Sequence, residues 1–338
     1  MIDNRTSKVI GDYKIIGTKA GETLIHHDSV KYLSSIDGII FDVDGVLIDV
    51  RESIQLAHGR VAEIYFGMLG WTDCEGMITP EDVDAFKLAR GFNSDWDLAT
   101  AWVLLYLLKS VRYSSTKGSE LRSKPPTIMD FTACVAKLGG GLENARKVLQ
   151  KLASQEEWDV LSAWSDRKLL EKVFQETYSG DLCPEVYGYK ATIVEGLGLI
   201  HRDRCILNKQ LVPNGLKLGI ATGRTLGETI TGLRLMGLSD LFPPAVLVTE
   251  DDHLWKPNPE VLRLAVERTG CKLPMYVGDT PDDLATVRNY KDLGYEIASC
   301  AVLTGLSDPN LREVFISQRA DMVADNVNAA LLALSMLL

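Results

Sequence analysis

The stretch Ile36-Asp37-Gly38-Ile39-Ile40-Phe41-Asp42-Val43-Asp44-Gly45 sets the fold. Its apolar run ends abruptly in acid, the pattern of a buried parallel strand whose carboxyl end carries function. Asp42 and Asp44 are two residues apart, so in extended chain their side chains share one face. Gly45 then lets the chain turn past them with no Cβ in the way. Similar short apolar runs recur at 216–221, 245–249, 275–277 and 299–303, most followed by a helical pattern. Strands alternating with helices predict an α/β fold, a Rossmann-like, doubly wound parallel sheet. Ligands of such sheets sit outside the carboxyl ends of the strands.

Between the first of these strands and the next, helical patterns dominate, at 52–66, 80–88, 95–109, 128–138, 142–155 and 165–178. No βαβ crossover needs that much chain, so an all-helical domain is inserted there. The expected organisation is an N-terminal extension over 1–35, a first core part over 36–50, a helical cap domain over 51–211 and a second core part over 212–338. Within the extension, Tyr13-Lys14-Ile15-Ile16 and Thr23-Leu24-Ile25 read as a hairpin. A Ser-rich basic stretch at 110–126 and Gly139-Gly140-Gly141, read as a flexible turn, interrupt the helical domain. The apolar run 329–338 packs on the sheet or forms a contact in a homodimer.

Bulk properties narrow the partners. The 338 residues carry a net charge of −10, which argues against nucleic acid as a partner. Hydrophobic content of 46% supports a packed core, yet the most apolar stretch, 98–108, is too short to span a bilayer. The N-terminus lacks the apolar core of a signal peptide. Six scattered cysteines without a C-x-x-C pair suit reduced thiols. A soluble cytoplasmic protein, with no membrane partner, is expected.

Three further segments follow strand-like runs: Ala221-Thr222-Gly223-Arg224, Lys256-Pro257 and Gly278-Asp279-Thr280-Pro281-Asp282-Asp283. A carboxylate such as Asp42 can attack phosphorus, and a neighbouring acid such as Asp44 can protonate the leaving oxygen. The Thr222 hydroxyl and the Gly223 N–H suit a phosphoryl oxygen, and Thr225 with Glu228 caps the next helix, which leaves Thr222 unneeded there. Asp42, the Asp44 backbone carbonyl and Asp279 offer the hard oxygen donors that magnesium takes, with Asp283 orienting a bound water. Asp283 has a second reading, as the partner of Thr280 in a capping box with Pro281 at the first helical position. Charge counting favours a role for Lys256. Four carboxylates and a phosphate dianion, set against magnesium and one lysine, leave a deficit of three. A proton on Asp44 reduces it to two.

In this order the four segments resemble the haloacid dehalogenase superfamily of hydrolases. The resemblance covers 42–283, and a helical insertion after the first motif resembles the branch that closes a cap over its site. It implies Asp42 as nucleophile, Asp44 as acid and base, Thr222 and Lys256 as phosphate binders, and Asp279 with Asp283 as magnesium partners. An acid at position 44 separates the chain from haloacid dehalogenases proper and from phosphonoacetaldehyde hydrolases. Phosphatases and β-phosphoglucomutases share all four motifs. The expected activity is therefore magnesium-dependent hydrolysis of a small phosphorylated metabolite. A phosphosugar mutase and a non-catalytic binding or regulatory protein on the same fold are the alternatives.

In such caps side chains cover the leaving group, and Lys87, Arg90, Asn93 and Trp96 form a candidate cluster, with Gly91 as a bend. The competing reading makes Ser94 a helix cap with Asp97 as its box partner, and Trp96 core. The basic stretch 109–124 meets an anionic substrate tail or forms a solvated mobile loop.

Overall fold

The computed structural model describes residues 9–338, so the first part of the expected N-terminal extension lies outside it. The chain divides into two compact units. One comprises residues up to Asp49 together with Arg204–Leu338; the other is Val50–Asp203.

The first unit is built on eleven strands among the described residues: β1 (Val9–Ile10), β2 (Tyr13–Thr18), β3 (Gly21–His26), β4 (Gly38–Phe41), β5 (Ile48–Asp49), β6 (Arg204–Cys205), β7 (Lys217–Ala221), β8 (Leu247–Val248), β9 (Pro274–Gly278), β10 (Ala298–Val302) and β11 (Met322–Ala324). Nine of them form one sheet in the order β1-β2-β3-β11-β10-β9-β4-β7-β8. From β11 to β8 all neighbours are parallel, which suits their short apolar sequences, buried on both faces. β4 lies between β9 and β7, with Phe41 opposite both Val277 and Ile220.

β2 and β3 form the antiparallel hairpin read from 13–25, and β3 runs antiparallel to β11. The hairpin thus prolongs the parallel sheet rather than lying apart from it. The helix Val327–Leu334 packs against β2, β3, β10 and β11, so the first part of the apolar 329–338 run is core, while Met336 and Leu338 are exposed. The three-residue β11 escaped the reading because so short a run carries no periodicity of its own.

Asp321, just before β11, ties this edge together. It accepts hydrogen bonds from the Ser29 hydroxyl at 2.5 Å, from the Ser299 backbone and hydroxyl at 2.8 Å each, and from Lys291 at 2.9 Å. Burial pushes its carboxyl upward, but Lys291 and these donors prevail and hold it below the ordinary aspartate value.

The second unit begins and ends beside one short ladder. β5 pairs with β6, joining Ile48 to Cys205 and Asp49 to Arg204. Residues 204–211 therefore belong with the core, and the helical unit stops at Asp203 instead of 211. Its helices include Ile54–Met68, Pro80–Leu88, Asp95–Tyr113, Gly118–Ser123, Ile128–Lys137, Gly141–Leu152, Gln155–Ala163 and Arg167–Ser179. The apolar Asp95–Tyr113 helix is the centre of this unit, with Leu98–Leu108 almost wholly buried. No helix of the described residues is long and apolar enough to cross a membrane.

Two sequence expectations are corrected here. The 109–124 stretch is not a mobile loop. It contains the end of one helix and the whole of Gly118–Ser123, and its charges are spent internally. Arg112 pairs with Glu157, Arg122 with Asp82 and Lys117 with Asp73, while Lys109 is buried. Gly139-Gly140-Gly141 is not a flexible turn either. The Gly141 amide donates to the Arg90 carbonyl, and a Cβ on Gly140 would lie 2.2 Å from that oxygen. The glycines permit two backbones to meet.

Asp321→Ala is expected to lower folding stability by about 2–3 kcal/mol, the loss of charged hydrogen bonds at a buried group. Because the folded-state pKa lies below the unfolded one, this contribution is complete above about pH 4. It fades as pH falls through the lower folded value. Urea titrations of both proteins at neutral and acidic pH should converge in the acid.

Candidate active site

Three adjacent parallel strands are each followed directly by a chemistry-bearing residue: β4 by Asp42, β7 by Thr222 and β9 by Asp279. The ladder fixes their relative height. The Asp42 amide donates to Val277 at 2.8 Å, and the Thr222 amide to Val248 at 3.0 Å. After Asp42 the chain doubles back through Gly45, at φ 69°, whose amide donates to Ile48 at 2.8 Å. A Cβ on Gly45 would sit 2.3 Å from an Asp279 carboxylate oxygen, and one on Gly305 1.5 Å from it. The two glycines form a cradle that no side chain could share.

Lys256 occupies the centre. Its ammonium donates to Asp42 Oδ2 and to Asp283 Oδ1 at 2.7 Å each, and to the Tyr276 hydroxyl at 3.1 Å. All four side chains are buried. Burial alone would lower the lysine pKa, but the charges of Asp283 and Asp42 outweigh it and hold the group well above its ordinary value. Burial raises the Asp42 carboxyl to about 6, with Asp283 and Asp44 acting the same way and Lys256 opposing. Asp283 goes the other way: burial pushes it up, but Lys256 and Thr280 more than compensate.

The two readings of Asp283 are both realised, one on each oxygen. Oδ2 accepts from the backbone of Asp279 and Thr280 and from the Thr280 hydroxyl, completing the capping box of the helix Pro281–Asp292. Oδ1 takes Lys256 and Tyr276. Gly278 makes this possible, since a Cβ there would lie 2.3 Å from the Asp283 carboxyl carbon.

Asp42, Asp279 and Asp283 bring carboxylate oxygens within 4.8 Å of one another. Three buried, hard oxygen donors beside a glycine cradle fit a magnesium-sized cation. Asp44 stands apart from that cluster: its Oδ1 is held by Arg224 through Nε and Nη2 at 2.7 Å each. Thr222 is buried, its hydroxyl accepting from the Arg224 amide at 3.3 Å, with Gly223 between them. Thr225 and Glu228 form the expected capping box.

Sequence reasoning missed two residues. Arg224 supplies a further positive charge against the deficit counted above, yet only its place directly after Thr222-Gly223 hints at it. Tyr276 bonds Lys256 and Asp283 from inside β9, where a tyrosine reads as ordinary strand core.

The cap candidates lie on one segment of the helical unit. Lys87 is in the last turn of Pro80–Leu88, Arg90 is left-handed at φ 70°, and Asn93 precedes the helix that starts at Asp95. Trp96 packs its ring edge-on to Phe174 at 5.1 Å. The Ser94–Asp97 box does not form: the Ser94 hydroxyl makes no cap bond, and Asp97 pairs with Arg167 at 2.8 Å. Beside this segment, buried His58 receives the Trp102 indole N–H on Nδ1 and bonds Asp95 through Nε2 at 3.1 Å.

A family model described as haloacid dehalogenase-like hydrolase matches residues 36–290. The structure of phosphatase Tt82 from Thermococcus thioreducens is similar, with 28% identity and a TM-score of 0.52, over 80% of this chain and 94% of that one. A predicted phosphoglycolate phosphatase from Haemophilus somnus 129PT shares 14% identity with a TM-score of 0.49, over 88% of this chain and 97% of that one. Imidazoleglycerol-phosphate dehydratase from Phytophthora nicotianae is 26% identical over 277 residues, 78% of this chain but 44% of that protein. The chain thus spans less than half the length of that curated relative. With the matched family model covering most of its length, the chain belongs to the haloacid dehalogenase-like hydrolases.

Proposed function

We propose that the protein is a magnesium-dependent phosphatase that hydrolyses a small phosphate monoester through an aspartyl-phosphate. The observation that carries this reading is the buried Asp42–Lys256–Asp283 array, with Asp44 two residues from Asp42 on its own cation.

Asp42 is the nucleophile. Its carboxylate oxygen forms a bond to phosphorus as the ester oxygen leaves, and Asp44 gives that oxygen a proton. In the second half Asp44 takes a proton from water as the water attacks phosphorus, and the bond to Asp42 breaks to release inorganic phosphate. The Val43 amide, 2.7 Å from Asp42 Oδ1, and Lys256 on Oδ2 orient the carboxylate. The Thr222 hydroxyl and the Gly223 amide hold phosphoryl oxygens. Lys256 has its donors engaged with protein, so to touch phosphate it exchanges one of them. Asp42, the Asp44 carbonyl, Asp279 and Asp283 are the residues that would hold magnesium. When bound, magnesium supplies positive charge where phosphoryl oxygens crowd the carboxylates.

The cap residues Lys87, Arg90, Asn93 and Trp96 are assigned to choice of the leaving group. Tt82 is named a phosphatase, which supports the reaction class. The Phytophthora relative is named for an imidazoleglycerol phosphate, so phosphorylated small alcohols of that kind belong first in a substrate screen.

Release of inorganic phosphate from an aryl phosphate should require magnesium and vanish with a chelator. Asp42→Asn should lower kcat by about 10⁴-fold or more; turnover near that of the unsubstituted chain would end the nucleophile assignment. Product analysis by phosphorus NMR should find free phosphate in step with substrate loss, where an isomerised phosphate ester would indicate a mutase.

Lys256→Ala should reduce kcat by about 10²–10³-fold. It should also cost about 3–5 kcal/mol of stability, because two carboxylates stay buried without their cation. Denaturant melts beside steady-state kinetics read both effects. Lys87→Ala and Arg90→Ala should change the ratio of kcat/KM between two phosphorylated metabolites by about 10-fold, and an unchanged ratio would remove them from the specificity cluster.

A further inference from the structure

We propose that Arg224 is a positioning residue for Asp44, and that Gly232 leaves it the room to act as one. This rests on the phosphatase reading above and names a part of the machinery that reading does not contain. Arg224 is buried directly after Thr222-Gly223, and its main chain is pinned at both ends. Its amide donates to the Thr222 hydroxyl at 3.3 Å, and its carbonyl accepts from the Glu250 amide at 2.9 Å. From that fixed base both Nε and Nη2 reach a single oxygen, Asp44 Oδ1, at 2.7 Å. Two donors from one planar guanidinium converging on a single oxygen pin that oxygen in place more firmly than a lysine's single ammonium could. Holding Oδ1 leaves Oδ2 as the oxygen that exchanges a proton with the leaving group.

Gly232 supplies independent support. It lies within the helix Leu226–Leu235, where alanine is the better helix former and glycine weakens the element. A Cβ at this position would sit 2.7 Å from Arg224 Nη1 and 3.3 Å from Ile48 Cδ1. The guanidinium therefore occupies the space that a side chain at 232 would fill. A glycine in the helix interior thus leaves the guanidinium the place from which it holds Asp44.

The inference separates from a general structural role through the leaving group. Nitrophenolate departs without a proton, whereas an alkoxide needs one, so loss of a correctly aimed acid harms alkyl esters most. In the full chain with magnesium, Arg224→Gln should lower kcat for glycerol 2-phosphate by about 10²-fold or more, with KM little changed. The loss for p-nitrophenyl phosphate should stay under about 10-fold, and Arg224→Lys should fall between. Gly232→Ala should reproduce the same substrate-selective loss, about 10-fold on the alkyl ester. Adding Gly232→Ala to Arg224→Gln should cost little more. Equal losses on both esters, or full activity of Gly232→Ala, would overturn the proposal. If the unsubstituted chain hydrolyses neither ester, the phosphatase reading fails, and the clamp is then judged by crystallography. An Asp44 carboxylate displaced in Gly232→Ala upholds it; one that keeps its place on Arg224 refutes it.

Discussion

The Lys256 ammonium, buried between Asp42 and Asp283, is the constraint on which the rest of the site depends. A carboxylate pair this deep cannot stay ionised without a positive partner, since burial penalises each charge and each charge penalises the other. The lysine satisfies both, and Tyr276 fills its remaining hydrogen-bond position from the neighbouring strand. The consequence reaches the sheet: β9 and the helix after it must bring Tyr276 and Asp283, and β4 must bring Asp42, to the same few ångströms. The parallel register of Phe41 with Val277 does so.

Around that centre the protein assigns separate tasks to atoms of one residue. Asp283 caps its own helix with one oxygen and holds the lysine with the other. Asp44 and Asp42, two residues apart, are kept on different cations, Arg224 and Lys256. This separation lets two acids of the same type, on the same loop, take different parts in one reaction. The glycines at 45, 278 and 305 contribute by absence, each leaving the volume that a carboxylate occupies.

How much of this was legible in the sequence depends on range. Three of the four motifs directly follow a short apolar strand, so strand, strand end and acid were read together from adjacent residues, and the parallel character of the sheet followed. Thr225 with Glu228 and Thr280 with Asp283 were legible for the same reason, being three residues apart. Most of the failures are long-range. Arg224 and its partner Asp44 are remote in sequence, and nothing local links them. The basic 109–124 stretch looked solvated because Asp82 and Glu157, which neutralise Arg122 and Arg112, come from distant helices. The three glycines at 139–141 read as slack because their neighbour, the turn at Arg90-Gly91, is nearly fifty residues earlier. Composition describes what a segment could do if left alone; it does not reveal what it will lie against.

The β5–β6 ladder carries a separate implication. Because Asp49 and Arg204 are ladder partners, the two ends of the Val50–Asp203 segment leave the core side by side. Topologically the core meets the whole helical unit as the bend of a single hairpin. A connection of that kind is indifferent to what it encloses, because the entropy of closing a loop grows only slowly with its length. The helical unit can thus be enlarged, shortened or exchanged during evolution while the strand order and the acids at its ends stay as they are.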